Sequence, residues 1–163
     1  MLLRYATVWR DGKQQRYVAD RVRDLFVAVS PAPVTCVEDL IPAAITLTGY
    51  EIKVVESGGL EPGVQATISR SQASLVTVTI STACTCRDFT LAHEIGHLVM
   101  RHRLGFCSET EVAKSMRGIY KHSHENLQER EAEFFARYVT WMMELGYGAS
   151  MEEQWRWLYQ LAL

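Results

Sequence analysis

The chain has no long apolar run, no excess of charge of either sign, no internal repeat and no low-complexity segment. No run approaches the roughly 20 apolar residues that a membrane-spanning helix requires. Lys and Arg number 17 against 19 Asp and Glu, a net charge of -2, which argues against a strongly basic face that grips nucleic acid. The opening "MLLRYATVWRDGK" has its apolar run broken by Arg4 and Arg10 and lacks a small-residue cleavage site, so it does not read as a signal peptide. The expected compartment is the cytoplasm. There is no Cys-x-x-Cys pair: of Cys36, Cys84, Cys86 and Cys107, the closest two are separated by a single residue. That spacing suits neither a zinc knuckle nor a dithiol redox motif, and reduced structural thiols are expected. A thiol ligand beside the histidines discussed below is the alternative.

What is present is enough for one domain. At 163 residues and 48% hydrophobic, the chain can bury a real core but is short for two. In "QRYVADRVRDLFVAV" (15–29), Val18, Val22, Leu25, Phe26 and Val29 recur at helical spacing. The prolines of "SPAP" stop that helix. A second helix is expected from Val37 to Thr48, or only from Ile41 because of Pro42, with Gly49 as its C-cap. Three β-rich runs follow, "YEIKVVE" (50–56), "GVQATISRS" (63–71) and "SLVTVTIS" (74–81), separated by turn-forming segments. They read as a small sheet of hairpins. In the third, Val76, Val78 and Ile80 alternate with polar residues, giving one packed face. Further helices are expected over 87–102, 109–117, 125–145 and 150–163, the first with Thr85 and Asp88 as a capping box and the last with Ser150 as N-cap. The fold class is therefore α+β: a three-stranded antiparallel or mixed sheet packed with several helices, in a single domain over 1–163 whose core spans about 15–145.

The helix "RDFTLAHEIGHLVMRH" (87–102) poses the chemical question. Leu91, Ile95 and Leu98 cover one side, and Phe89, Ala92, Val99 and Met100 cover much of the rest, so the helix is expected to be buried. A buried imidazole or carboxylate without a partner costs several kcal/mol. His93-Glu94-Ile95-Gly96-His97 resolves that cost as an H-E-x-x-H motif. Side chains four apart lie about 40° apart around a helix, so both rings leave one face and can converge on one metal ion. Glu94 projects about 100° away, where it serves as general base towards water. Gly96, costly inside a helix, is expected where another element approaches closely. His102 lies about 140° from His97 on a continuous helix and reads as a solvent-side or helix-end residue. Gly at 100 and His at 103 would continue a metzincin motif; Met100 and Arg103 exclude that class.

A catalytic zinc usually has three protein ligands and one open position. In "HENLQEREAEFFARYV", Glu125, Glu129 and Glu133 form one row beside Ala132 and Ala136, small residues that admit a neighbouring helix. One carboxylate of the row is a candidate ligand, and one a turn later is a candidate to orient a histidine. Glu131 points away from the row and reads as part of a solvated face.

The two segments "FTLAHEIGH" (89–97) and "EREAEFFA" (129–136), in that order after a strand ending in "VTVTIS", resemble the ImmA/IrrE metallopeptidases. The order of elements over about 15–145 is similar as well. The resemblance implies a gluzincin-like, zincin-type active-site helix, with one Zn2+ per chain held by His93, His97 and Glu129. Glu133 stands where the family usually has Asn or Asp, and is expected to support the site from behind. Glu125 is the alternative ligand, with His122 or His124 behind it. The tail "RYVTWMMELG" departs from the "LLMP" frequent in the family, so the packing of the C-terminal segment is not carried over. The implied activity is peptide hydrolysis with Glu94 as base, and Tyr120, His122, His124 or Tyr138 as donor to the oxyanion. The implied substrate is a helix-turn-helix repressor, with no nucleic acid or membrane contacted directly. The rival expectation is a zinc-containing partner that binds a repressor or antitoxin without cutting it. The strand at 74–81, if it is an edge, would accept substrate as an added strand.

Overall fold

The computed structural model describes residues 12–30, 33–104, 124–145 and 156, except the side chains at 12, 124–126 and 145. The elements are α1 (Gly12–Val29), a 3-10 turn (Val37–Leu40), α2 (Ile41–Thr48), β1 (Glu51–Ser57), β2 (Ala66–Arg70), β3 (Leu75–Ser81), α3 (Arg87–Val99) and α4 (His124–Leu145). This is the expected α+β class, with the sheet of the mixed kind. The short helix over 109–117 and the helix over 150–163 lie outside the described residues. Among the described residues, no helix is long and apolar enough to cross a membrane.

Local chemistry accounts for the boundaries. Pro42 sits in the first turn of α2, where its missing N–H costs nothing. Gly49 closes that helix at φ 75°, its N–H bonded to the Ile45 carbonyl, as the sequence predicts. The capping box expected from Thr85 and Asp88 does not form. The N-cap of α3 is Cys86, one residue later, with no side-chain cap bond, and the Thr85 hydroxyl lies 3.9 Å from the Cys86 thiol. The end is instead pinned by Arg87, which donates to Glu56 on β1 (2.9 Å) and to Glu38 in the 3-10 turn.

The strand order is β1-β3-β2, with β1 parallel and β2 antiparallel to β3. Only β2 and β3 form a hairpin, which corrects the expectation of hairpins throughout. It also removes the docking edge assigned to 74–81. β3 is the central strand, its backbone paired on both sides, and the edges are β1 and β2. Within it Val76, Val78 and Ile80 are fully buried, opposite Ile52 and Val54 on one side and Ile68 and Ala66 on the other. That aliphatic face packs on the helices, while Leu75, Thr77, Thr79 and Ser81 on the opposite face are half-exposed.

The core lies between the sheet and the helices. Val18, Val22 and Leu25 of α1, Leu40, Ala44 of α2, Leu91, Ile95 and Leu98 of α3, and Phe135, Val139 and Met142 of α4 are all buried. α3 is packed on every side, touching β2, β3, α2, the 3-10 turn and, most extensively, α4. The all-round apolar pattern of its sequence is thereby explained.

Candidate metal centre

α3 and α4 approach closely because their facing residues are small. Ala132 and Ala136 are fully buried on α4, and Gly96 on α3 lies directly against the Phe135 ring. This close approach sets Glu129, nearly two turns before Phe135, opposite the two histidines.

His93 and His97 turn their Nε2 atoms toward each other, 3.1 Å apart. The Glu129 carboxylate reaches both, with Oε2 at 3.3 Å from His93 Nε2 and Oε1 at 3.5 Å from His97 Nε2. Three ligand-type atoms thus share one small region, all within 4.8 Å of one another. Tetrahedral coordination with metal–ligand bonds of about 2.0–2.1 Å places neighbouring ligand atoms roughly 3.3–3.4 Å apart. The histidine nitrogens at 3.1 Å, and the contacts of 3.3 and 3.5 Å that the two carboxylate oxygens make with one ring each, are of that order, within reach of a single ion. The donor set of two imidazoles and a carboxylate also suits zinc. The group therefore fits a zinc ion, and it contains the three ligands expected from the resemblance.

Glu94 completes the group. It is buried, and among the described residues its Oε2 has no hydrogen-bond partner. Burial pushes its carboxyl above the usual carboxylate range, the nearby His93 and His97 pull it partly back, and Glu129 raises it again. For His93, burial disfavours the charged ring. The hydrogen bond it donates to Glu129 and the charges of Glu94, Glu129 and Glu133 outweigh that, holding its pKa above the ordinary value. A cluster with this much negative charge around two imidazoles favours a cation, whether protons or a metal ion.

Glu133 faces the outer nitrogen of His93, Nδ1 to Oε2, at 4.0 Å. Its other oxygen accepts two hydrogen bonds from Arg137, at 2.7 and 3.1 Å. It lies behind His93, where the sequence puts it, though beyond hydrogen-bonding distance. Tyr138 is buried with its ring on Phe134, centroids 6.1 Å apart, and burial pushes its phenol up to about 12. Tyr120 and His122 and the side chains of His124 and Glu125 lie outside the described residues. Among the described cysteines, Cys36 and Cys84 are half-buried and Cys86 is exposed, and the ligand group includes no thiol. Cys84 contacts the Thr90 hydroxyl at 3.2 Å instead.

Glu131, read as part of a solvated face, is buried, and so is His102, read as a solvent-side or helix-end residue, which lies just past the end of α3. His102 and Glu131 are 8% and 6% exposed, and His102 Nε2 lies 2.8 Å from Glu131 Oε2. The other ring nitrogen, His102 Nδ1, stands 3.1 Å from His97 Nδ1. The physical reason is that α3 stops at Val99 rather than running on to His102. Arg101 adopts a left-handed φ of 57°, its N–H bonds the Leu98 carbonyl, and the His102 N–H bonds the His97 carbonyl. That is a Schellman turn, with arginine where glycine is usual. It sends the chain back over α3, so the 140° separation of a continuous helix no longer applies. Burial lowers the pKa of His102 below its ordinary value, partly offset by Glu131.

No protein-family model matches this chain, and no curated protein is similar enough to be matched.

Proposed function

We propose that this chain is a zinc-dependent endopeptidase of narrow specificity, of the ImmA/IrrE type, acting in the cytoplasm on a helix-turn-helix repressor. One observation carries the reading: His93, His97 and Glu129 converge from two helices on one small region, within reach of a single ion, with the carboxyl of Glu94 buried beside them. The substrate class rests on the resemblance of "FTLAHEIGH" and "EREAEFFA" alone.

A zinc ion here would be held by His93, His97 and Glu129 and would supply Lewis acidity toward a peptide carbonyl and toward water. The residues of the chain do the rest. His93 and His97 hold their Nε2 atoms inward, and the packing of Gly96 on Phe135 fixes Glu129 opposite them. Glu94 takes a proton from water at its carboxylate and hands it to the departing amine, a task suited by a carboxyl pKa raised by burial. A binding-only scaffold has no use for Glu94 in that place.

The test is co-expression with candidate helix-turn-helix repressors, comparing wild type with Glu94→Gln. About one zinc per chain in both proteins, with a cleaved repressor band only in the wild type, supports the reading. Repressor inactivated equally by both, without cleavage, establishes the binding-only alternative.

A further inference from the structure

We propose that His102 and Glu131 are positioning residues that fix the tautomer and orientation of His97, presenting its Nε2 lone pair to the metal. The role rests on the metal-site reading above, but its evidence is separate: a buried hydrogen-bonded chain on the far side of the His97 ring.

The direction of the chain follows from donor and acceptor chemistry. An ionised Glu131 can only accept, so the short 2.8 Å contact requires the proton on His102 Nε2. A neutral imidazole protonated there has its lone pair on Nδ1. His102 Nδ1 must then accept from His97 Nδ1–H across 3.1 Å. His97 is left with a bare Nε2, which is the nitrogen facing His93 and Glu129. Run in the opposite direction, the same contacts would put a proton on His97 Nε2 and aim it into the ligand group. Both rings and the carboxyl are buried, so water does not substitute for any link.

The backbone provides a second observation. Arg101 is the one non-glycine residue among those described with positive φ. A left-handed residue with a side chain is strained and persists where surrounding structure holds it. Here it makes the turn that carries His102 back to His97. The two zinc histidines are consequently unequal: His97 has a hydrogen-bonded support, whereas His93 faces Glu133 only at 4.0 Å.

The experiment measures zinc affinity by competition with a chromophoric chelator for wild type, His102→Phe, Glu131→Leu and Glu131→Gln, with the ring nitrogens of zinc-loaded wild type read by 15N NMR. His102→Phe and Glu131→Leu are expected to lose about 10- to 100-fold in affinity, the usual effect of removing a ligand's hydrogen-bond partner. Glu131→Gln, whose amide oxygen still accepts from His102, is expected to recover most of the loss seen with leucine. The spectra should show protons on His97 Nδ1 and His102 Nε2. Wild-type affinity in both His102→Phe and Glu131→Leu overturns the proposal while leaving the zinc site standing. So does a proton on His102 Nδ1, and this reading decides the matter if the two variants do not fold. Wild type that takes up no zinc removes both the site and the positioning role.

Discussion

Gly96 on α3 lies so close to Phe135 on α4 that a Cβ added at Gly96 would stand 2.9 Å from Cδ1 of the ring and 3.0 Å from Cγ. Phe135 is fully buried. Gly96→Ala would gain up to about 1 kcal/mol in helix propensity. Overpacking typically costs about 1–3 kcal/mol, so the net effect is expected to be destabilising. Urea denaturation should show this, and zinc affinity should fall too, because Glu129 shares a helix with Phe135. In a double-mutant cycle, Gly96→Ala and Phe135→Leu should be less damaging together than their sum. Additive effects would show that the two helices do not meet at this point.

The ligand set makes a ranked prediction. His93→Ala and Glu129→Ala each remove an atom from the group of three and should abolish stoichiometric zinc. Glu133→Ala should weaken zinc less, since its carboxylate is 4.0 Å from His93 and bonded to Arg137. Metal analysis after dialysis gives the order directly. Greater loss from Glu133→Ala than from Glu129→Ala would move the third ligand.

The Schellman turn is open to improvement. At Arg101 the left-handed conformation costs the arginine about 1–2 kcal/mol that glycine does not incur. Part of the gain is cancelled by the greater freedom of glycine in the unfolded chain. Arg101→Gly should therefore be neutral to stabilising, by up to about 1 kcal/mol. Arg101→Val, β-branched and exposed, should destabilise and should also weaken zinc binding by releasing His102. A destabilising glycine, measured by chemical denaturation, would mean that the turn is not held as described.

How much of this was legible in the sequence differs by element. Helical spacing in 15–29 and 125–145, alternation in 74–81 and Gly49 after Thr48 each point directly at the structure found. The histidine pair was equally plain, because a spacing of four residues lies close to the 3.6-residue period of the helix. Strand order was not, since nothing in three short runs separated by turns says that the last is the central one. His102 and Glu131 were hidden by one residue. A glycine at 101 would have announced the helix stop, whereas Arg101 hid it, and the continuous-helix projection then sent His102 to the surface. Glu131, two residues from Glu129, followed the same logic to the solvated face.

The charges in the metal centre give a dependence on pH whose sign changes with zinc. In the metal-free protein, His93 is raised above its ordinary 6.5 and Glu94 above its ordinary 4.5. Each holds its proton more tightly folded than unfolded, so the stabilisation is complete below the unfolded value and disappears as pH rises through the folded one. Between about pH 5 and 8 the metal-free wild type should lose stability relative to His93→Gln, in which one of these groups is absent. Zinc is expected to reverse the trend, because it competes with the proton on His93 and binds better as that proton leaves. Melting curves across this range, with chelator and with excess zinc, should show the increment from zinc growing with pH. An increment that shrinks toward pH 8 would mean that His93 does not give up a proton to the metal.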